Sequence, residues 1–190
     1  MPLIGRPFCG RCGAPTAFEV HGCSECREKD YSFDGARAPL RYEGVGGELV
    51  RALKYKGYAC VVEKVMAPLM ADLLDGGFDL VVPVPLHRAR LAKRGFNQAE
   101  LMARGVAGRI DAPVSDKLKV VRRTRDQLEL FADVRRSNAA SAYTSCKLAA
   151  GRLILVDNIF TTSATLSESA TVLKKASAAE AHVLNLCGLC

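Results

Sequence analysis

The hydrophobic pattern of the chain spells the same unit twice: a short apolar run, a polar turn, then a helical repeat. The clearer copy runs through 153–165, Leu-Ile-Leu-Val-Asp-Asn-Ile-Phe-Thr-Thr-Ser-Ala-Thr. Four consecutive apolar residues bounded by turn formers predict a strand buried on both faces, as in a parallel sheet. Leu166, Ala170 and Leu173 follow at helical spacing, and Thr165 with Glu168 stands in the relation of a capping box, so a helix is expected to start near Thr165. The second copy opens at 79–82, Asp-Leu-Val-Val, and passes through Pro83-Val84-Pro85-Leu86-His87-Arg88. It predicts a helix over 97–109, with Asn97 and Glu100 as its amino-terminal box. Upstream, Leu49 and Leu53 predict a helix before a turn at Gly57. Val61, Val62, Val65, Met66, Leu69, Met70, Leu73 and Leu74 then keep helical spacing up to Gly76-Gly77, an apolar face read as core. Pro68 interrupts that run and either kinks it or opens a second helix. Repeated strand, loop and helix units give an α/β expectation: a parallel sheet flanked by helices.

The turn at 161–165 carries candidate chemistry. Free amides and the positive end of the helix dipole favour a dianionic phosphate, and the hydroxyls of Thr161, Thr162, Ser163 and Thr165 add donors at the same place. Asp157, at the carboxyl end of the strand, is positioned to accept hydrogen bonds from ribose hydroxyls, because ligands of open α/β sheets bind at that edge. The plain alternative is a buried strand joined to an ordinary capped helix.

Charge narrows the partners. The chain has 190 residues, 49% of them hydrophobic, and a formal net charge of +7. Residues 1–35 hold four basic and five acidic side chains, so the excess lies beyond them. Arg88, Arg90, Lys93 and Arg94 form one cluster, and Lys117, Lys119, Arg122, Arg123, Arg125, Arg135 and Arg136 a second. Polyanions are the expected partners, with simple solvation of a surface as the plainer reading of individual charges. No apolar run approaches the ~20 residues that span a bilayer, and the first residues lack the apolar core of a signal peptide, so a cytoplasmic protein without a membrane span is expected.

Cysteines mark a separate module. Cys9-Gly10-Arg11-Cys12 and Cys23-Ser24-Glu25-Cys26 are two Cys-x-x-Cys pairs with ten residues between them, the spacing of paired zinc knuckles, and Gly10 and Gly13 relax the backbone there. Disulfides are the rival reading, which a cytoplasmic setting disfavours. His21 is a neighbour that stands in reach of the same ion. Thirty-five residues bury little core, so structural zinc would supply the folding free energy. The expected division is a four-cysteine zinc module over 1–35 and an α/β domain over 36–190. Cys60 and Cys146 read as buried or incidental thiols, and Cys187 with Cys190 as a frayed terminus.

The 153–165 stretch resembles the signature of type I phosphoribosyltransferases, in which an acidic pair holds the ribose of phosphoribosyl pyrophosphate and a Thr-Thr-Gly-x-Thr loop its 5-phosphate. By position, Asp157 and Asn158 match the acidic pair, and Thr161, Thr162, Ser163, Ala164 and Thr165 match the loop. Asn158 replaces the second acid and brings no negative charge to a ribose or a cationic transition state. Ser163 replaces the glycine, which serves such loops through positive φ or close approach to the anion. The Pro-Val-Pro-Leu-His run, Lys93-Arg94-Gly95-Phe96-Asn97-Gln98-Ala99-Glu100, Leu53-Lys54-Tyr55-Lys56-Gly57 and the Cys pairs together resemble the ComF family of competence-associated, phosphoribosyltransferase-like proteins. Arg123, Asp126, Gln127, Arg135, Arg136 and Asn138 loosely match the basic loop that precedes that family's final strand, the candidate hood over pyrophosphate.

The resemblance implies structural zinc on Cys9, Cys12, Cys23 and Cys26, magnesium with phosphoribosyl pyrophosphate, and His87, Arg88 and Arg94 on the pyrophosphate. It also implies a role in DNA uptake and natural competence. Two functions follow: a transferase working through phosphoribosyl pyrophosphate or a related sugar phosphate, or a non-catalytic accessory that engages single-stranded DNA or uptake proteins through basic surface. Stacking platforms for single strands are few, because aromatic residues make up 6% and Trp is absent. Tyr55, Tyr58 and Phe96 are the candidates. Neither pattern selects an acceptor base or an oligomeric state.

Overall fold

The computed structural model describes residues 3–53, 61–121, 142–147, 151–160 and 163–188. Lys54, Tyr55, Lys56, Gly57, Tyr58, Cys60, Arg122, Arg123, Arg125, Asp126, Gln127, Arg135, Arg136, Asn138, Thr161, Thr162 and Cys190 lie outside the described residues. The strands are β1 (Gly35–Arg37), β2 (Leu40–Arg41), β3 (Leu80–Pro83), β4 (Leu118–Val120), β5 (Tyr143–Ser145), β6 (Arg152–Phe160) and β7 (Glu180–Gly188). The helices are α1 (Ser24–Arg27), α2 (Val45–Ala52), α3 (Ala67–Ala71), α4 (Arg88–Arg94), α5 (Gln98–Ile110) and α6 (Ala164–Lys175). A π-helical stretch, Val62–Met66, precedes α3.

Strands β1, β7, β6 and β3 lie side by side in that order, with β2 also on β7, and every pairing in this sheet is parallel. β4 and β5 form a separate antiparallel pair. The continuous apolar run is explained by β6 having a neighbour on each side and a layer on each face. Leu153 and Leu155 face a core shared with Leu166, Ala170 and Leu173 of α6, with Leu118 and Tyr143, and with Cys9, Cys26, Tyr31 and Phe33. Ile154 and Val156 face the opposite core, built from α2, α3 and α5 through Val50, Met70, Met102 and Val106. Alternate side chains of one strand thus supply two cores.

Pro68 sits in the first turn of α3, where its missing N–H costs nothing, and the π stretch before it takes up the interruption in the helical run. Asn97 caps α5 by accepting from the Ala99 N–H at 3.1 Å, while Glu100 turns to Arg104 at 2.7 Å rather than closing the box. α6 begins at Ala164 with Ser163 as its N-cap, so Thr165 and Glu168 fall inside the helix and not at its cap. Cys187 is not at a frayed end: it is fully buried in β7, its thiol 3.6 Å from the Gly46 carbonyl. Among the described residues, no helix is long and apolar enough to cross a membrane.

Candidate functional site

β6 delivers Asp157 to the carboxyl half of the sheet, opposite Asn185 of β7. The Asn158 N–H donates to Asp157 Oδ1 at 2.8 Å. Burial of the carboxyl, only partly offset by that bond, pushes the Asp157 pKa up to about 6. Beside it, Asn158 Oδ1 is buried without a hydrogen-bond partner among the described residues. A buried acceptor left open costs free energy that a ligand hydroxyl would recover. Asn185 is fully buried, and in the amide orientation that satisfies its neighbours it accepts from the Phe160 N–H at 3.1 Å and donates to the Leu184 carbonyl at 3.3 Å. It pins the residue from which the threonine loop departs. The sequence signal for it is a lone amide in an otherwise apolar run.

Ser163 stands at φ 56, ψ 0, in the left-handed region. That is the conformation for which glycine serves such loops, and a side chain there costs roughly 1–2 kcal/mol. Ser163 makes no side-chain cap bond to its own helix, although its carbonyl accepts from the Ser167 N–H at 2.7 Å. Two buried tyrosines stand beside the loop: Tyr31 near Ser163, and Tyr143 of β5 near Thr165. Burial pushes Tyr143 up to about 12, with the Asp157 charge acting in the same direction. Both tyrosines come from distant sequence and carry no local signal.

The second strand, loop and helix is built differently. β3 ends at Pro83, and His87 becomes the N-cap of α4, its Nδ1 accepting from the Ala89 N–H at 3.3 Å. Arg88 is exposed. Arg94 donates to Gln98 Oε1 at 2.6 Å, and Gln98, almost wholly buried, donates to the Leu53 carbonyl at 3.2 Å. Asn97 Nδ2 ties the Pro-Val-Pro loop back through the Val84 carbonyl at 3.0 Å. Arg90 lies close enough to Tyr143 for its charge to act on that hydroxyl. A cavity of about 1150 Å³ opens beside this loop, lined among the described residues by Pro83, His87, Arg88, Asn97, Leu118 and Val121.

The thiols of Cys9, Cys12, Cys23 and Cys26 converge, all within 4.8 Å of one another. Cys9 to Cys26 is 3.7 Å, Cys12 to Cys23 3.5 Å and Cys23 to Cys26 3.8 Å. Four sulfurs bound about 2.3 Å from one tetrahedral zinc ion stand about 3.8 Å apart, so this donor set fits zinc. Burial opposes ionisation of Cys9, but N–H groups of Cys12, Arg11 and Cys23 aimed at its sulfur outweigh it and bring the thiol down to about 7. Gly13 turns the first knuckle at φ 75, where a Cβ would lie 2.6 Å from the Ala36 carbonyl oxygen. His21 is not part of the cluster.

No family model matches the chain. It is 27% identical over 192 residues to competence protein F of Haemophilus influenzae, covering 95% of this chain and 84% of that protein. It is 29% identical over 189 residues to DNA utilization protein YhgH of Salmonella typhimurium, covering 95% and 83%. YhgH of Escherichia coli K12 is 26% identical over 191 residues, covering 96% and 84%. Among solved structures, glutamine phosphoribosylpyrophosphate amidotransferase from B. subtilis, complexed with ADP and GMP, matches 64% of this chain at 19% identity and a TM-score of 0.46. The chain spans a quarter of that enzyme's length. Over some 95% of its residues the chain is a homologue of competence protein F and YhgH, and it resembles the ComF family in sequence as well as in motif.

Proposed function

We propose that the chain is a phosphoribosyltransferase-like protein that binds phosphoribosyl pyrophosphate or a related sugar phosphate at 157–165 and serves in DNA uptake. The binding half rests on one convergence: the Asp157 carboxyl, the Asn158 Oδ1 that has no partner among the described residues, and the start of α6, to which Ser163 gives no side-chain cap bond, come together at the carboxyl end of β6. The uptake half rests on relatives named for competence and DNA utilization. In this reading residues 1–35 are a metal module and 36–190 the sugar-phosphate domain.

Asp157 and Asn158 take the ribose hydroxyls, and a hydroxyl supplies the donor that Asn158 Oδ1 lacks. The first amides of α6, with Thr161, Thr162, Ser163, Ala164 and Thr165, surround the 5-phosphate. Arg88 and Arg94, with His87 beside them, face the pyrophosphate. Magnesium neutralises leaving-group charge when bound with the pyrophosphate, and one carboxylate plus substrate oxygens is a donor set it accepts. Asp157 stabilises an oxocarbenium-like charge only when ionised, which its raised pKa places above about pH 6.

A second reading, an accessory that binds DNA or uptake proteins through a degenerate site, is favoured by Asn158, which brings no charge, and by the strained Ser163. Calorimetric titration with magnesium and phosphoribosyl pyrophosphate separates the two, run on this chain and on the N158D, S163G double variant. Binding by both supports the first reading, and binding by the double variant alone supports the second. Binding by neither rejects the site. For the accessory reading, affinity for single-stranded DNA must fall steeply as salt rises.

A further inference from the structure

The antiparallel pair of β4 and β5 leaves one edge open among the described residues. Leu118, Lys119 and Val120 face Ser145, Thr144 and Tyr143, and the Val121 N–H donates to the Ala142 carbonyl at 2.8 Å. An antiparallel ladder bonds every second residue, so the N–H and C=O groups of Leu118 and Val120 point away from β5, and no described residue bonds them. The cavity of about 1150 Å³ lies along that edge, since Leu118, Lys119, Val120 and Val121 all line it. Strand side chains alternate between faces, so four consecutive residues share one cavity only along the edge of their strand. β3, which also borders the cavity, is guarded differently. Pro113 and Ser115 occupy its edge at Val81, and Pro83 and Pro85 beyond them have no N–H to offer.

We propose that this groove docks an extended segment of a partner protein, added as a strand along β4, apolar at alternate positions and acidic at one end. The volume exceeds the roughly 300–1,000 Å³ of small-molecule pockets. Leu91, Val114 and Val121 line it while 40%, 39% and 61% exposed, an apolar surface that alternate side chains of an added strand would cover. Charge sets the acidic end. The acids of the groove are already engaged, Glu100 by Arg104 at 2.7 Å and Asp116 by Lys119 at 3.0 Å, whereas Arg88 has no ion-pair partner among the described residues. Arg88 opens α4, a helix with three further basic residues and no acid. Nucleic acid fits this groove poorly, because its described lining holds no Phe, Tyr or Trp for bases to stack on and a phosphate chain completes no N–H and C=O ladder. A second copy fits poorly as well, since two-fold pairing about the middle of β4 sets Lys119 against Lys119.

The test titrates isotope-labelled, zinc-loaded chain with a synthetic decapeptide that alternates valine and threonine behind two glutamates. Saturable amide shifts at 118–121 are expected, with hydrogen exchange of the Leu118 and Val120 amides slowed at least tenfold at saturation. N-methylation of alternate peptide residues, made in both registers, is expected to weaken binding at least tenfold in one of them. Lysines in place of the two glutamates are expected to weaken it about threefold. Val120→Pro removes an outward N–H while leaving the bonds to β5, and is expected to lose most of the affinity; if that variant does not fold, the methylated peptides decide. No saturable shift at 118–121, or unchanged affinity for both methylated peptides, overturns the proposal. Equal or tighter binding of the lysine peptide overturns the acidic end, and equal shifts at 118–121 with a ten-nucleotide oligothymidylate overturn the choice of a protein partner. Slow exchange at Leu118 and Val120 before any peptide is added overturns it too: the edge is then covered by the chain itself or, where protection grows with protein concentration, by a second copy.

Discussion

The loops after β6 and β3 share a spelling, apolar strand to polar turn to helix, yet the molecule finishes them in opposite ways. β6 has strands on both sides, whereas among the described residues β3 has a sheet partner only in β6 and is closed on its other side by Pro113 and Ser115, which bond the Val81 backbone at 2.9 and 2.8 Å. After β6 comes a 12-residue helix whose N-cap side chain makes no bond to it. After β3 comes a seven-residue helix whose start is already occupied by His87. A capped helix has used a donor that an uncapped one still offers to an anion. The same local pattern therefore leaves one helix start without a side-chain cap and the other capped by His87. What separates them is the neighbourhood: buried tyrosine hydroxyls and a buried amide surround the first, and solvent reaches much of the second.

Core truncation gives the largest contrast. Ile154→Ala, in a fully buried position of β6, is expected to cost about 3–4 kcal/mol in denaturant unfolding, and Leu80→Ala, partly exposed at the start of β3, less than half of that. Equal costs would remove the distinction between central and edge strand.

Asp157 comes next. Its pKa is raised from 3.8 to about 6, so the folded state favours the neutral carboxyl. That contribution is fully present below about pH 4 and is lost as pH rises through 6. Asp157→Asn is therefore expected to stabilise the ligand-free chain by about 1–3 kcal/mol at pH 8 and to change little at pH 4, while weakening ribose binding. Unfolding midpoints of the pair across that pH range check the sign, and a variant less stable at pH 8 would show that the carboxylate is well solvated.

At Ser163 the informative comparison is between two variants, because both lose the hydroxyl. Ser163→Gly is expected to be about 1 kcal/mol more stable than Ser163→Ala in thermal unfolding, since only glycine tolerates φ 56 without strain. In an ordinary helix the order is the reverse. The smallest effect belongs to the other loop: His87→Ala, which removes the cap of α4, is expected to cost about 0.5–1 kcal/mol and to leave ribose 5-phosphate affinity unchanged.

The parts legible in sequence were those whose signal is local. The run 153–156 announced a strand buried on both faces because a core packs against each face of β6. The Cys pairs announced their cluster because ligand spacing is itself local, and Asn97 announced its cap. The contacts that shape the loop were not legible, because Tyr31, Tyr143 and Asn185 reach it across long stretches of chain and no spacing rule connects them. β7 was missed in the same way: His182 and Asn185 break its apolar run, and Cys187 read as a frayed end although it is buried. That the Arg90 charge acts on Tyr143 was not legible either, since only the tertiary fold joins the two.

Whether the loop after β6 is the anion site is decided by titrating isotope-labelled, zinc-loaded chain with ribose 5-phosphate and following backbone amide shifts at 164–167 and at 88–91. Saturable shifts at 164–167, with those at 88–91 still, are the expected result. Shifts confined to 88–91, or none at either helix start, would contradict it.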